Sequence, residues 1–405
     1  MGTTGPHTWV FKTRFRRHAF GWRSQPAIQR VTQAVTEIKK VARTDAALAA
    51  EGAVALIERL SPALEHVDSS SGAIGTAVNN AIATIVPLIA GAPADAKTRA
   101  MWLDRLFEAH GADQIPYIED LAEHWGELCA SKTVASEWAD RLLGITRMAL
   151  SANKNMRGHF HGTTACLSAL YVAERYDDLL DLLETESFWP YKRWAVRTLA
   201  AQGQKAEAIR IAEASRSPWA SDWDIDRLCE EMLLSSGLVD DAYARYGLTA
   251  NRGGTYLTTF RAVAKKYPQK NASDILADLV KTTPGDEGKW FAAAKDAGLF
   301  REALALAERT PCDPKTLTRA ARDHGEDQPA FALGAGLLAL YWLAQGYGYE
   351  ITGADVWWAY STTMKVAERV GKASELRADI RRMVVSAQDR GNFVARVLGR
   401  ELGLP

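Results

Sequence analysis

Two stretches of this 405-residue chain set aromatic rings among cations. The first, Trp9–Arg23 (WVFKTRFRRHAFGWR), interleaves Trp9, Phe11, Phe15, Phe20 and Trp22 with Lys12, Arg14, Arg16, Arg17 and Arg23. Guanidinium groups neutralise phosphates and pair with them bidentately, and aromatic faces stack on unpaired bases. The second, Phe188–Trp194 (FWPYKRW), gathers Trp189, Tyr191, Lys192, Arg193 and Trp194 at the start of an expected helix. On a concave helical face such residues grip a base, a sugar or a peptide side chain. Trp357-Trp358 and Trp219 with Trp223 extend the theme, and Trp (13) outnumbers Tyr (12) and Phe (11). Both stretches have a purely structural reading. The rings of the first would anchor it on the following helices while its cations stay solvated, and the Trp residues of the second would pack between helices.

A third constellation is acidic. In Pro116–Glu127 (PYIEDLAEHWGE), a helix would place Asp120 and His124 four residues apart on one face, with Glu127 three further on and Glu123 at the edge. A carboxylate beside an imidazole is the minimum for general acid–base chemistry or a weak metal site. Metal binding would need ligands from elsewhere and none is indicated, so no metal or cofactor is expected. A solvated surface pair is the plain alternative. His159-x-His161 with Cys166 reads as a loop leading into a helix rather than as a ligand set. Asp68–Gly75 (DSSSGAIG) reads as a helix–helix connection with Ser caps, because it lacks the Gly-Lys-Ser/Thr ending of a phosphate-binding loop. No Rossmann fingerprint, nucleophile elbow or HExxH motif occurs. Cys129, Cys166, Cys229 and Cys312 form no CxxC pair, which argues against a disulfide framework or a cysteine zinc site.

The elements that must position these groups are helices. Residues 46–67 place Ala, Val, Leu and Ile at three- and four-residue spacing, and breakers such as Gly91-Ala-Pro93, Gly253-Gly254 and Pro284-Gly285 separate similar segments. No alternating strand bounded by hairpin turns is found, so the class is all-α. The middle of the chain repeats itself. Glu174–Leu180, Gln202–Ala208, Ser236–Ala242 and Ala297–Ala303 superimpose, with Tyr267–Ile275 as a looser fifth copy, at intervals of 28 to 34 residues. That period resembles tetratricopeptide-type helical hairpins, with Gly at the turn ending one helix and an acid opening the next. A lone hairpin cannot bury its apolar face, so neighbours must stack. The expected fold is an α-solenoid of helical hairpins, a tetratricopeptide/HEAT-like superhelix. Its expected parts are a basic arm and first helix (1–45), a helical layer (46–150), repeats (151–312) and a capping bundle (313–405).

Apolar residues make up 47% of the chain and charged residues 24%, enough for a sizeable core. No apolar run is read as approaching the ~18 residues a membrane span needs, and no signal peptide is read, which predicts a soluble cytoplasmic protein without membrane contact. The zero net charge is uneven. Residues 1–44 hold nine Lys or Arg and one acid, Glu37, a local +8 against −8 for the remainder. Such polarity suggests a basic arm that meets nucleic acid or an acidic surface, its own chain included.

The chain as a whole resembles a family of uncharacterised bacterial all-helical proteins. Arg14–Arg23, Leu64–Gly75, Ile118–Leu128 and Thr310–Ala320 carry the likeness. Residues 40–130 also resemble the helical part of some bacterial SWIM zinc-finger proteins, but the chain has no CxC…CxH motif, so no zinc role is implied. The resemblance brings no activity.

The expected function is nucleic-acid binding, DNA favoured, through Lys12, Arg14, Arg16, Arg17, Trp22, Arg23, Trp189, Lys192, Arg193 and Trp194. Its enzymatic extension is a DNA glycosylase of helical-repeat type, with Asp120, Glu123 or His124 as the acid–base group; Asp222 and Asp224 are further candidates. The alternative is a scaffold that binds a protein or peptide partner in its groove. The sequence leaves catalysis and oligomeric state open.

Overall fold

The computed structural model describes residues 7–151, 153, 157–218, 221–386 and 393–404. Every regular element among them is helical. The chain forms two compact units, Met1–Ser221 and Asp222–Pro405, which part inside the expected 151–312 repeat segment.

In the first unit a short helix α1 (Val10–Arg14) lies on α2 (Ser24–Ala42) and α3 (Ala46–Leu64), and α4 (Ala73–Ala90) packs against both longer helices. The Ala-rich α3 starts where the Asp45 carboxylate accepts from Leu48 N–H (2.9 Å). Its small side chains let neighbours come close, and most of the helix is buried. Helix α5 (Ala96–Gly111) is bolted to α3 by Arg105, which reaches Glu51 (2.7 Å) and grips Glu58 with two nitrogens (2.8 and 2.7 Å). After a tight 3-10 turn at Glu119–His124 follow α6 (Trp125–Leu128), α7 (Lys132–Ala149), α8 (Thr163–Val172), α9 (Tyr176–Leu182), α10 (Trp189–Ala201) and α11 (Lys205–Ala214).

The reading that no apolar run approaches a membrane span is corrected by α4. It is 18 residues long with mean hydropathy 1.6, long and apolar enough to cross a bilayer by length and composition. Asn79 and Asn80 interrupt the run to the eye without lowering its average below that of a span. In this fold Ile74, Val78, Ile82, Ile85 and Ile89 recur every three or four residues and form a face buried against α2 and α3. The last two carbonyls of α4 and one just beyond it end on the buried Arg99, whose guanidinium donates to Ile89 (2.6 Å), Ala90 (3.2 Å) and Ala92 (2.9 Å).

The second unit runs α12 (Asp222–Leu234), α13 (Val239–Ala242), a wide π turn at Tyr243–Gly247, α14 (Tyr256–Lys266), α15 (Ala272–Lys281), α16 (Phe291–Asp296) and α17 (Phe300–Arg309). It ends with α18 (Pro314–Asp323), α19 (Pro329–Ala344), α20 (Gly353–Arg369), α21 (Ala373–Ser386) and α22 (Phe393–Leu402). The almost wholly apolar α19 is its central rod, with α17, α18, α20, α21 and α22 packed around it.

The repeated turns are helical hairpins. Glu174, Gly203, Gly237 and Gly298 stand in the left-handed region (φ 58°, 83°, 74° and 74°) at the ends of α8, α10, α12 and α16. The N–H of the next residue reaches back to a carbonyl five residues earlier, as from Gln204 to Leu199 (2.8 Å) and Leu299 to Ala294 (2.9 Å). This pattern satisfies the orphan carbonyls of a helix end. A further copy, at Gly371 between α20 and α21, escaped the sequence comparison.

Candidate nucleic-acid interface

The N-terminal segment is sorted by side-chain chemistry. Trp9, Phe11 and Phe15 are buried and Phe20 half-buried in the core formed with α2 and α3. Trp9 is seated directly on Gly52 of α3, where a Cβ would lie 2.5 Å from Cη2 and 2.6 Å from Cε2 of the indole. Trp22 alone of the five rings faces solvent, 72% exposed. Lys12, Arg14, Arg16, Arg17 and Arg23 all point outward.

Backbone contacts pin this segment at both ends. Glu37, the acid among nine cations, accepts from the N–H groups of Val10 (2.7 Å) and Phe11 (3.2 Å), so both its oxygens are taken up at the start of α1. His18 N–H donates to Pro62 (2.9 Å), and Asp68 N–H donates to Trp22 (2.8 Å). The His18 ring stacks on His66 at 4.6 Å. Trp22 and Arg23 are thereby held beside the Ser-rich turn before α4. That turn is a connection as read, but the residue before the helix is Gly72 in the left-handed region (φ 70°), with Asp68 accepting from Ser70 N–H (3.0 Å).

The cations of this surface go largely uncompensated. Arg17 lies 4.0 Å from Glu65. Among the described residues no carboxylate lies within 4.0 Å of Lys12, Arg14, Arg16, Arg23, Arg30, Lys39, Lys40 or Arg43. The acids that the arm does meet within the first unit are Glu37, through backbone N–H groups, and Glu65, which also lies 3.2 Å from His18 Nδ1. A groove of about 890 Å³ opens between the arm and α2, and Arg14, Arg30, Lys40 and Arg43 line it. Arg14 and Arg30 both donate to the same oxygen, Oε1 of Gln33 (2.9 and 2.8 Å). The sequence reading counted Arg30, Lys40 and Arg43 as charge without placing them. For Arg30 and Lys40 the signal was the spacing Arg30, Gln33, Glu37, Lys40, a face of α2 that flanks the buried stripe Ala27, Val31, Ala34 and Ile38.

The two other constellations meet each other. Glu123 pairs with Arg193 and lies 3.9 Å from Arg197, so α10 is clamped to the 3-10 turn. Ser168 of α8 supports that turn, donating to the Glu123 carbonyl (2.9 Å) and accepting from Gly126 N–H (3.0 Å). Burial raises the Glu123 carboxyl above its ordinary range, and the two guanidiniums act against that rise. Asp120 Oδ2 is 3.7 Å from His124 Nε2, and Glu127 Oε2 is 3.5 Å from Nδ1. The Asp120 carboxylate raises the His124 imidazole above its usual range despite partial burial, and Glu127 adds to the effect. The expected α-helix is a 3-10 turn through residue 124, yet Asp120 and His124 still face each other.

The aromatic half of the second constellation points the other way. Trp189 (4% exposed) and Trp194 (3%) are buried, so neither presents a face to an incoming base. Trp194 closes the contact of α10 with α8, where it meets Tyr171 edge-on at 5.7 Å, while Trp189 lies beside Ile211 and Ala214 of α11. Arg197 covers the Trp194 ring at 4.9 Å. Lys192 donates to the Leu183 carbonyl (3.2 Å). Trp219 lies outside the described residues. His161 touches Phe107, His110 and Phe160, Cys166 is buried, and no group of three His, Cys, Asp or Glu that could hold a metal occurs among the described residues.

Comparison of the chain with known protein families, with characterised proteins and with solved structures finds no match.

Proposed function

We propose that the chain binds nucleic acid, DNA foremost, through the outward face of residues 12–43, with its helical hairpins stacked as a solenoid-type scaffold. One observation carries the reading. Lys12, Arg14, Arg16, Arg23, Arg30, Lys39, Lys40 and Arg43 form a fixed cationic surface without carboxylate partners among the described residues. A surface of this kind attracts a polyanion and gains from counterion release. Arg17 and Trp22 are exposed on the same segment. Lys192, Arg193, Trp189 and Trp194 have their contacts within the first unit and are secondary to it. The test is a titration of the full chain against single- and double-stranded DNA at two salt concentrations. Affinity should fall steeply with salt, and it should fall again when Lys12, Arg16 and Arg23 are changed to Glu. No binding at low salt overturns the proposal.

The catalytic extension, excision of a base, rests on the assembled Asp120–His124–Glu127 cluster. Glu123, matched by Arg193 and Arg197, serves the fold in this reading. Abasic-site formation on DNA carrying modified bases, lost in Asp120→Asn, is its measurement.

The scaffold reading draws on a different observation. Tyr347, Tyr349 and Trp357 of the second unit are exposed. It would need a protein partner to be retained by a variant with all three changed to Ser before it could be set aside.

A further inference from the structure

The groove between the arm and α2 is lined by both cationic and apolar side chains, and these properties together narrow the ligand. Arg14, Arg30, Lys40 and Arg43 line it together with the apolar Val10 and Val41. Val10 is half exposed and so open to contact from a ligand in the groove. The carboxylate in the groove, Glu37, has both oxygens engaged by the backbone of α1 and so does little to draw the cations together. Arg14 and Arg30 converge on one neutral amide oxygen instead. Two guanidiniums held on one acceptor repel each other, and an anion placed between them relieves that repulsion.

We infer that this groove seats a single-stranded segment of nucleic acid, with backbone phosphates on Arg14, Arg30, Lys40 and Arg43 and a base edge against the apolar lining at Val10 and Val41. The inference rests on the nucleic-acid reading above and deepens it by naming the strand state. At about 890 Å³ the groove has the size of pockets that enclose one small ligand, which suits one unstacked nucleotide and its neighbours' phosphates. A duplex keeps its bases stacked inside a stiff cylinder and offers none of them to a recess of this size. A single strand exposes its bases, and groove binders of single strands combine a cationic wall with an apolar or aromatic contact for them. The outer cations Lys12 and Arg16 do not line the groove and would meet either kind of strand.

The experiment is fluorescence anisotropy of the full chain with a fluorescein-labelled oligothymidylate, a mixed-sequence duplex of equal length and a strand of abasic deoxyribose phosphates. Two double variants run beside the wild type, Arg30→Ala/Lys40→Ala in the groove and Lys12→Ala/Arg16→Ala outside it, each checked for a wild-type circular dichroism melt. The wild type should prefer oligothymidylate to the duplex and to the abasic strand by roughly tenfold. The groove variant should lose that preference, and its single-strand salt slope should fall by about 1.4 for two missing phosphate contacts. The outer variant should weaken all three ligands alike. Equal loss of single-strand affinity in the two variants, or a wild-type preference for the duplex, overturns the groove while the nucleic-acid reading stands. Absence of binding to every ligand at low salt overturns both.

Discussion

Replacing Gly52 by Ala adds one methyl group at the spot where the Trp9 indole rests on α3, and opposed effects then compete. In the middle of an exposed helix the change would stabilise by about 0.5–1 kcal/mol, because Ala loses less backbone freedom on folding than Gly. Here the new Cβ would stand 2.5 to 2.6 Å from ring atoms of Trp9, which no packed pair of carbons tolerates. Shifting α3 to make room costs about 1–3 kcal/mol. Expelling the indole forfeits the burial of roughly 150–250 Å², or about 4–6 kcal/mol at ~25 cal/mol/Å². The cheaper route, a shift of α3, sets the outcome, so a net loss of up to about 2 kcal/mol is expected, a fall in Tm of up to roughly 8 °C. Trypsin should at the same time cut faster between Lys12 and Arg17, residues now held by the seated ring. The double variant Trp9→Ala/Gly52→Ala closes the cycle, because with the indole gone the same methyl should be harmless or stabilising. A Gly52→Ala protein that melts higher than wild type, with its arm as resistant as before, would refute the seating of Trp9 on α3.

Arg99→Met leaves the last carbonyls of α4 without their donor in a buried setting. It should cost about 2–4 kcal/mol in chemical denaturation, far more than Arg99→Lys, which keeps a charge at the site. In the second unit, the buried Glu230 accepts from Lys266 (2.5 Å), Tyr267 (2.6 Å) and Asn251 (2.6 Å). Glu230→Ala strands all three donors and should destabilise by about 3–5 kcal/mol, with Glu230→Gln recovering part of the loss. His124 titrates above its ordinary value of about 6.5 because Asp120 faces it. Its stabilising contribution is therefore complete below that ordinary value and is lost as pH rises through the folded-state value. Proton NMR should find the imidazole titration displaced upward in wild type and returned toward the ordinary value in Asp120→Asn. An unmoved titration would count against the pairing.

The helical class and the hairpin turns were legible because each depends on local chemistry. Gly203, Gly237 and Gly298 announce left-handed helix ends, and the acids after them announce the next helix. Glu174 takes the same conformation without being glycine, and only its place in the repeat betrays it. What stayed hidden depends on residues far apart in the chain. The direction of Trp9 is set by the bare surface at Gly52, and that of Trp194 by Tyr171 on α8. The clamp of Glu123 on Arg193 and Arg197 joins residues some seventy positions apart, with no periodicity to reveal it. The Asp120–His124 pair was read from helical spacing and formed at 3.7 Å on a tighter turn, which aligns residues three apart and sets those four apart about 120° from each other, so the contact depends on side-chain reach. The groove was missed because its wall belongs to two elements, and neither α1 nor α2 alone has a recess.

In the opening segment, rings turned inward fix the chain to α3, while the cations between them touch almost nothing of the protein. The two sets of positions can therefore change independently. Substituting the outward residues alters which polyanion is attracted, and how strongly, without asking the core to repack. Substituting the inward ones alters whether the surface exists at all. One short stretch thus carries two separable instructions. A chain with every outward Lys and Arg of the arm changed to Gln would fold on the same template as an electrostatically silent twin, whereas cutting the arm away would remove three core rings along with the charge.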